Sequence, residues 1–524
     1  MRTSRGKGKA MHAIPRILAK TAALGAVLAV VEPVIVERRK RSERRDPMVW
    51  SAKAGEGFLL KNAEVVDVLT GAVMHKRGVL VKDGRIEDIL TEKKAASVEG
   101  VKTLDAAGCF VIPGLINTHC HMLLTMSLSL SPDILAVTGR QIERNFEECI
   151  THGVTTVRDA GTWPVLMRRY MDRIEGGELL GPRILSAFSF INAPGGYPSD
   201  YVKMPSFLDA KWGPFVHQVT TPQEARDAVR RNVEWGSNFI KLAFDDHQLF
   251  MGQKAIPVLS DELLSATVDE AHAHGLKVSA HHRFRRGLVR GNDFALDGME
   301  HIAADDILDD SEVEAFVAAG RYIIPTVQTG WALSGISRSD PYLEDPRVQH
   351  NLASRLETIR SVYPSLCEPP VYRGLLAYER NYRDPSYTER RHIMYTLDPK
   401  IATEGIVKGT ENLNKLYHAG ALIGCGNDGG VPQIAAGILG IEMVLLGSST
   451  DMEPLDVLQA ATINNARIIG MEEELGTVSK GKLADLVLLP GNPLDNMEHV
   501  LHPNAVFKEG QLVFTSHNPD LGAH

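Results

Sequence analysis

The segment PGLINTHCH, residues 113–121, is a short apolar run that ends in two histidines. Side chains alternate between the two faces of a β-strand, so His119 and His121 point the same way while Cys120 points the other way. Two imidazoles on one face can bind one metal ion, although a lone His-x-His pair is a weak signal because such pairs also arise by chance. The segment therefore predicts a strand at 114–119 that ends at the first candidate metal ligands.

Seven more apolar runs of strand length follow this segment, and amphipathic stretches separate them. We predict strands at 154–157, 183–188, 239–244, 277–281, 298–302, 322–327 and 421–426, and helices that include 224–235, 261–274 and 311–319. Eight alternating units predict an α/β protein with a (β/α)8 TIM-like barrel, whose active site lies where the strands end. The long stretch after Thr329 exceeds an ordinary barrel connection and is expected to form helices over the pocket.

Both ends of the chain show a second, β-rich pattern. Hairpins are predicted within 58–90 and 483–514, with turns at Lys82-Asp83-Gly84 and Glu509-Gly510. Because strands distant in sequence can pair in one sheet, both ends are expected to build one small β-sandwich domain beside the barrel. The expected organisation is an N-terminal extension (1–50), a first sandwich part (51–112), the barrel (113–475), and a second sandwich part with the tail (476–524).

Charge and cysteine content argue against several classes of protein. The net charge is −8 although the first 45 residues are basic, so the remainder is strongly acidic. This argues against a nucleic-acid enzyme, because phosphate backbones are bound by dense positive charge. The five cysteines are an odd number without metal-knuckle spacing, which argues against a disulfide framework and a thiolate zinc site. The chain is expected to be a homo-oligomeric enzyme of a reduced compartment that acts on a small molecule.

The N-terminal extension allows three interpretations. Its apolar segment 21–36 contains Glu32 and Pro33, and the basic run RRKRSERR follows at 38–45. The segment is short for a membrane-spanning helix, and dense positive charge after an apolar segment is unusual for an export signal. A disordered or subunit-packing extension, a membrane contact through residues 14–45 and an export signal stay open, and a cytoplasmic location is favoured.

Three further polar residues stand at the ends of other predicted strands, namely His281, His301 and Asp428. Each of them alone is explained as well by a side chain that caps a loop or satisfies a core hydrogen bond. Together with His119 and His121, they converge on one end of the barrel, for which packing alone gives no reason. We therefore predict that these five residues share a metal site.

Lys241 lies inside the apolar strand 239–244, where a buried ammonium is costly unless it is paired. The amine has either reacted with carbon dioxide to give a carbamate that bridges two metal ions, or it pairs with Asp245 or Asp428. The carbamate is favoured because it supplies the extra ligand that two neighbouring metal ions need.

Taken together, these motifs resemble the amidohydrolase superfamily, and within it the imidazolonepropionase-like and Xaa-Pro or Xaa-Arg dipeptidase-like metal-dependent enzymes. The similarity runs across residues 58–515. It rests on PGLINTHCH, HGVTTVRDAG (152–161), GPRIL (181–185), FIKLA (239–243), DEAHAHGLKVSAHH (269–282), GMEHI (298–302), GNDGG (426–430), AATINNARIIG (460–470) and LGTVSKGKLADLVLL (475–489).

The resemblance implies a centre of two divalent metal ions. The positions that correspond to the family's ligands are His119, His121 and Asp428 for the more buried ion, His281 and His301 for the second ion, and Lys241, carboxylated, as the bridge. Imidazole ligands suit zinc, although manganese, cobalt or nickel can occupy the same set. The chain departs from the family in AFDDH (243–247) after the lysine and in HRFRR (282–286) after the fifth-strand histidine, so the substrate stays open.

The expected reaction is hydrolysis of an amide-type carbon–nitrogen bond by a metal-activated hydroxide, with Asp428 as the base. Arg283, Arg285 and Arg286 could hold a substrate carboxylate, which favours an N-acyl amino acid or dipeptide, but a solvated basic turn explains them equally well. The candidate substrate-binding residues are His282, Arg283, His247 and Arg158, although a structural ion pair of Arg158 with Asp159 is favoured over a catalytic role.

Three alternatives stay open. The same centre could cleave a lactone, an ester or a phosphoester, or it could open a cyclic amide as an imidazolonepropionase-like enzyme does. A barrel that has lost its chemistry is disfavoured, because all six candidate ligands are present.

Overall fold

The computed structural model describes residues 57–127, 131–200, 206–248, 254–334, 345–383 and 399–516. The N-terminal extension, including the candidate membrane contact at 14–45, lies outside these residues. Within the described ranges, no helix is both long and apolar enough to cross a lipid bilayer. All five cysteines are buried and free.

The described residues contain both strands and helices. The strands are β1 (Gly57–Val66), β2 (Val73–Lys82), β3 (Arg85–Leu90), β4 (Lys102–Asp105), β5 (Phe110–Pro113), β6 (Leu115–Cys120), β7 (Val154–Asp159), β8 (Arg183–Ser186), β9 (Phe190–Asn192), β10 (Val216–Gln218), β11 (Phe239–Ala243), β12 (Lys277–His281), β13 (Gly298–Glu300), β14 (Tyr322–Ile324), β15 (Leu422–Ile423), β16 (Leu486–Leu489), β17 (Ala505–Lys508) and β18 (Gln511–Thr515). The α-helices are α1 (Glu92–Ala96), α2 (Pro132–Leu135), α3 (Thr138–Thr151), α4 (Pro164–Glu175), α5 (Ser206–Trp212), α6 (Pro222–Glu234), α7 (Asp261–Ala273), α8 (Arg285–Asp293), α9 (Asp310–Ala318), α10 (Val327–Leu333), α11 (Pro346–Ser361), α12 (Tyr363–Leu366), α13 (Pro369–Arg383), α14 (Pro399–Glu404), α15 (Thr410–His418), α16 (Leu439–Ser449), α17 (Pro454–Gln459) and α18 (Asn465–Ile469). Helices α10 to α14 confirm that the long stretch after Thr329 is helical where it is described.

Two parallel sheets form the centre of the chain. One contains β6, β7 and β8, and the other contains β11 to β15 in sequence order. Strands β6, β7, β11 and β13 are buried along their whole length, as expected for parallel strands that helices cover. Each of the eight predicted strands is present, and the short parallel pair β9–β10 is an addition that the sequence pattern does not show.

Hydrogen bonds join the two central sheets at both edges. Beside β6, the backbone N–H of Thr118 donates to the carbonyl of Cys425 at 3.2 Å. Beside β8, the backbone N–H of Asn238 donates to the carbonyl of Ser186 at 3.0 Å, and the Asn238 side chain accepts from the Ser186 N–H at 2.9 Å. The strands therefore lie in one connected arrangement that places their carboxyl ends together.

The Asn465 side chain forms hydrogen bonds with both β6 and the segment that follows β15. Its buried amide donates to the carbonyls of Ile116 (2.5 Å) and Cys425 (2.7 Å). Its Oδ1 accepts from the Cys425 N–H and from the Thr118 hydroxyl, both at 3.0 Å. One side chain thus satisfies polar groups of β6 and of the segment after β15, which are some 300 positions apart in the printed sequence.

The Asn465→Ala variant is expected to lose about 3 kcal/mol of free energy of unfolding, because buried polar groups left without a partner cost about 1–3 kcal/mol each. Denaturant titration measures this loss. Asn464→Ala is the control, since that side chain is partly exposed and donates one bond of 3.2 Å to Ile423. An equal loss in both variants would contradict the role given to Asn465.

Strands from both chain ends form one sheet, in the order β18-β17-β16-β5-β1-β2-β3 with β4 beside β1. The two predicted hairpin turns are confirmed. Asp83-Gly84 and Glu509-Gly510 have positive φ at both residues, as tight two-residue hairpins of type I′ require.

This end sheet is strongly curved. The rings of Phe58 on β1 and Phe507 on β17 stack with centroids 5.1 Å apart. Three strand spacings separate β1 from β17, which would amount to about 14 Å in a flat sheet. The sheet therefore folds over a hydrophobic core of its own, which contains both rings. A two-layer sandwich and the domain limits stay predictions.

Candidate metal centre

Three residues at the strand ends have a left-handed backbone. His301, Thr326 and Asp428 follow β13, β14 and β15, and their φ values are 71°, 47° and 55°. This conformation is costly for residues other than glycine, above all for a β-branched threonine, so the surrounding structure must hold it. Strands β14 and β15 also end earlier than the sequence pattern predicts, at Ile324 and Ile423.

Five of the six predicted ligands lie in one buried cluster. His119, His301 and Asp428 offer ligand atoms that all lie within 4.8 Å of one another. His121 Nε2 lies 3.4 Å from Asp428 Oδ1. The ring centroids of His281 and His301 are 4.5 Å apart. The structure thus brings together side chains that lie at the ends of β6 and β12 or shortly after β6, β13 and β15.

Three of the imidazoles are held at one ring nitrogen, which leaves the other nitrogen for a metal ion. The contacts are His121 Nδ1 to Gly161 O (3.0 Å), His301 Nδ1 to Thr326 Oγ1 (2.6 Å), and His281 Nε2 to Asp245 Oδ2 (2.8 Å). Outer partners of this kind fix the ring orientation of metal-binding histidines.

Burial keeps these imidazoles neutral. It lowers the pKa of His121 to about 4. Burial, with the nearby His281 and His119, also holds the pKa of His301 well below its ordinary value. Neutral imidazole is the form that binds metals, so these side chains need not lose a proton first at neutral pH.

The surroundings of the His119 ring nitrogens show whether a metal ion fits this cluster. Its Nδ1 lies 2.5 Å from Glu300 Oε2 and its Nε2 lies 3.2 Å from Asp428 Oδ1. Despite these distances, neither nitrogen makes a hydrogen bond with acceptable angles, and both are buried. Buried polar atoms nearly always have a partner. Imidazole nitrogens and carboxylate oxygens are suitable ligands for a divalent transition metal. The residues present therefore fit a metal ion.

Lys241 of β11 lies against Glu300 of β13, and its ammonium contacts that carboxylate. This contact corrects the expectation that a charged Lys241 would pair with Asp245 or Asp428, because its partner is Glu300. Burial lowers the pKa of Lys241 to about 8, although Glu300 acts in the opposite direction. Glu300 also accepts from Arg158 (2.8 Å) and from the Ser279 hydroxyl (2.5 Å).

Sequence reasoning passed over Glu300, although it stands in GMEHI beside His301. The signal was available, because an acidic residue inside a short buried strand must have a partner. Burial opposes ionisation, but Lys241, Arg158 and His119 hold the pKa of Glu300 well below its ordinary value. It is therefore an anion directly beneath the cluster.

Arg158 and His282, predicted from the sequence as candidate substrate-binding residues, are buried and hydrogen-bonded within the fold. Arg158 is buried, and it donates to Glu300 and to the Tyr322 hydroxyl (3.1 Å) rather than pairing with Asp159. His282 is fully buried, and its Nδ1 lies 3.1 Å from the Glu300 carbonyl. Both residues support the strands from inside the fold.

The three arginines proposed for a substrate carboxylate are each paired with carboxylates of the chain. The partners are Asp245 for Arg283, Asp309 and Glu312 for Arg285, and Asp246 for Arg286. His247 belongs to the same network, since its ring Nδ1 lies 2.8 Å from Asp246 and its carbonyl accepts from Arg283 at 3.0 Å. A carboxylate-binding role for these side chains therefore has no support from their contacts.

Aromatic rings lie against two of the imidazoles. The Tyr197 ring stacks on the His281 ring with centroids 4.0 Å apart and an interplanar angle of 16°. The Phe190 ring lies nearly parallel to the His121 ring at 6.3 Å, and it also packs on Phe215 at 5.6 Å. We call Tyr197, Phe190 and Phe215 the aromatic wall. Tyr197 is its partly exposed member.

Comparisons with known proteins agree with this geometry. The pattern of the amidohydrolase family matches residues 110–513. A 5-methylthioadenosine/S-adenosylhomocysteine deaminase of Symbiobacterium thermophilum is 22% identical over 469 residues, which cover 83% of this chain and 85% of that protein.

Solved structures give the same result for the fold. A Xaa-Pro dipeptidase with bound methionine has a TM-score of 0.65 at 22% identity, over 88% of this chain and all of that chain (100%). The A. niger ochratoxinase has a TM-score of 0.64 at 18% identity, over 89% and 98% of the two chains. These neighbours imply a TIM-barrel-type α/β fold. The chain belongs to the amidohydrolase family, and it is a metal-dependent hydrolase of carbon–nitrogen bonds.

Proposed function

We propose that this protein hydrolyses an amide-type carbon–nitrogen bond of an uncharged small molecule that carries an aromatic group. The buried cluster of His119, His301 and Asp428, with ligand atoms within 4.8 Å of one another, carries the proposal. The hydrogen bonds that join the central sheets at both edges support a closed eight-stranded barrel with this cluster at its mouth.

The same six residues that the sequence offers would hold two divalent ions, preferably zinc. His119, His121 and Asp428 form one ligand group, and His281 with His301 forms the other. As a carbamate, Lys241 would supply a ligand to both groups, and its lowered pKa favours this because only a neutral amine reacts with carbon dioxide. Bound divalent ions lower the pKa of water and polarise a carbonyl group.

Asp428 moves the proton in this reaction. Its carboxylate takes a proton from the attacking water and passes it to the nitrogen of the leaving amine, so that water is added across the bond and a carboxylic acid and an amine are released. His119 and His121 hold the pKa of Asp428 below its ordinary value against the effect of burial. The carboxylate is thus ionised and ready to accept.

The aromatic wall and the paired arginines support the proposed substrate class. Arg283, Arg285 and Arg286 are neutralised by partners within the chain, so a substrate carboxylate would have to displace an internal one. Tyr197 lies directly against His281 and is partly exposed, so it offers a flat apolar face beside the reacting centre. This arrangement favours an aromatic amide over an N-acyl amino acid or dipeptide.

A substrate panel with the zinc-loaded protein tests the proposal. N-acyl anilines and amides of aromatic acids are expected to be cleaved faster than N-acetyl amino acids, dipeptides, lactones, esters and phosphoesters of similar size. Preference for a carboxylate-bearing amide would overturn the substrate class. Cleavage restricted to esters or phosphoesters would overturn the assignment of an amide bond.

Tyr197→Ala should raise KM for an aromatic amide by about 3- to 10-fold, because a stacked ring pair contributes about 0.5–1.5 kcal/mol beyond the area buried. Tyr197→Phe is the matched control and should keep the wild-type KM. Steady-state kinetics with an aromatic and an aliphatic amide separate a loss of stacking, which affects only the aromatic amide, from a general loss of substrate binding. An equal rise for both amides would contradict a stacking role.

A further inference from the structure

Glu442 is a buried acidic residue in the apolar helix α16 that the proposed reaction does not use. Its two carboxylate oxygens accept from the backbone N–H groups of Val327 and Gln328, each at 2.7 Å. These two residues begin helix α10. One side chain therefore connects the start of α10 to α16 through two short hydrogen bonds.

The start of α10 also carries two hydroxyl groups that reach the metal cluster. Thr326, immediately before the helix, places its Oγ1 2.6 Å from His301 Nδ1. Thr329, in the first turn, places its Oγ1 3.5 Å from Asp428 Oδ2. The first contact orients an imidazole through the nitrogen that faces away from the metal site.

The backbone of Thr326 needs external support. Its φ of 47° places a β-branched residue in the left-handed region, which is costly unless neighbouring contacts fix it. The two bonds from Glu442 act on the next two peptide groups and supply such a contact. Burial raises the pKa of Glu442 to about 8, so the fold keeps a carboxyl group here at an electrostatic cost.

We propose that Glu442 is a positioning residue for the metal centre. It fixes the start of α10, and through Thr326 and Thr329 it holds the His301 imidazole and the Asp428 carboxylate in their metal-binding orientations. The inference rests on the proposed function to the extent that His301 and Asp428 are metal ligands.

Zinc affinity of Glu442→Gln tests this role. The amide keeps one acceptor oxygen but turns an NH2 group toward a backbone N–H, so one bond is lost and two donors face each other. We expect the zinc dissociation constant, measured by competition with a chelator, to rise by up to about 10-fold, the lower end of the range for losing a direct partner of a metal ligand, because Glu442 acts on His301 only through Thr326. Thermal unfolding of the metal-free protein shows whether the variant is folded.

Glu148→Gln is the matched control. Glu148 is also buried, and neither of its carboxylate oxygens has a hydrogen-bond partner among the described residues. This variant should bind zinc as the wild type does. An equal loss of affinity in both variants would overturn the inference, because a general effect of replacing a buried carboxyl group would then explain it.

Variants of Thr326 keep the inference testable should Glu442→Gln fail to fold. Thr326→Val removes the hydroxyl that contacts His301 and should weaken zinc binding, whereas Thr326→Ser should restore it. In the double variant Glu442→Gln/Thr326→Val, the two losses should be less than multiplicative, because both act through one contact. Wild-type zinc affinity in Glu442→Gln, or in Thr326→Val, would overturn this inference but not the proposed function. A wild-type protein that binds no zinc would overturn the proposed function as well.

Discussion

The Asp428→Asn variant is expected to lose turnover by about 10³-fold, within the range typical of removing a group that acts as general acid and base. Asparagine keeps the shape of the side chain and one oxygen near His119 and His121, but it cannot accept a proton. The variant should therefore retain bound zinc while kcat falls. Steady-state kinetics and metal analysis of the same sample measure both quantities.

Asp297→Asn is the matched control for this variant. Asp297 accepts from the Val278 N–H at 2.7 Å and directly precedes β13, so it lies at the end of the strands opposite the metal centre. This variant should keep wild-type kcat. Unchanged turnover in Asp428→Asn would remove the proposed base. Loss of all zinc together with turnover would show that its effect is on metal binding alone.

The Lys241→Met variant is expected to show no measurable turnover and to lose the bridged pair of ions. Methionine fills a similar volume in β11, but it can neither form a carbamate nor pair with Glu300. The buried Glu300 would then keep Arg158, Ser279 and His119 as close neighbours but lose its contact with Lys241. Zinc content and activity measure the result, and native mass spectrometry detects the added carbon dioxide in the wild type.

Lys241→Arg separates the two interpretations of this lysine. The guanidinium keeps a positive charge beside Glu300 but forms no stable carbamate. If the carbamate is required, Lys241→Arg should be as inactive as Lys241→Met. An active Lys241→Arg variant would show that the ion pair with Glu300 is the whole role of Lys241.

The candidate ligands at the strand ends could be predicted because each of them stands within or next to a short apolar segment. His119 and His121 alternate with Cys120 in one strand, and His281, His301 and Asp428 each stand where an apolar run stops. The central parallel strands and most of the candidate ligand cluster follow from this periodicity. Their mutual distances do not follow from it, because they depend on the order and curvature of the sheets.

The partners of charged residues could not be predicted, because they are chosen in space rather than along the chain. Arg283 pairs with Asp245 across 38 positions, and Arg158 pairs with Glu300 across 142. An arginine next to a histidine in sequence therefore looked available for a substrate, although its charge was already balanced. The outer contacts of Thr326 and Glu442 were missed for the same reason.

Zinc stoichiometry is the measurement that tests the central claim most directly. Metal is removed from the purified protein with a chelator, and the protein is then loaded with excess zinc. Gel filtration removes unbound metal, and inductively coupled plasma mass spectrometry measures the zinc that stays bound. The account predicts two zinc ions per chain, and clearly fewer when His119 and His301 are both replaced with alanine. No retained zinc in the wild type, or the same content in the double variant, would contradict a metal centre built from these side chains.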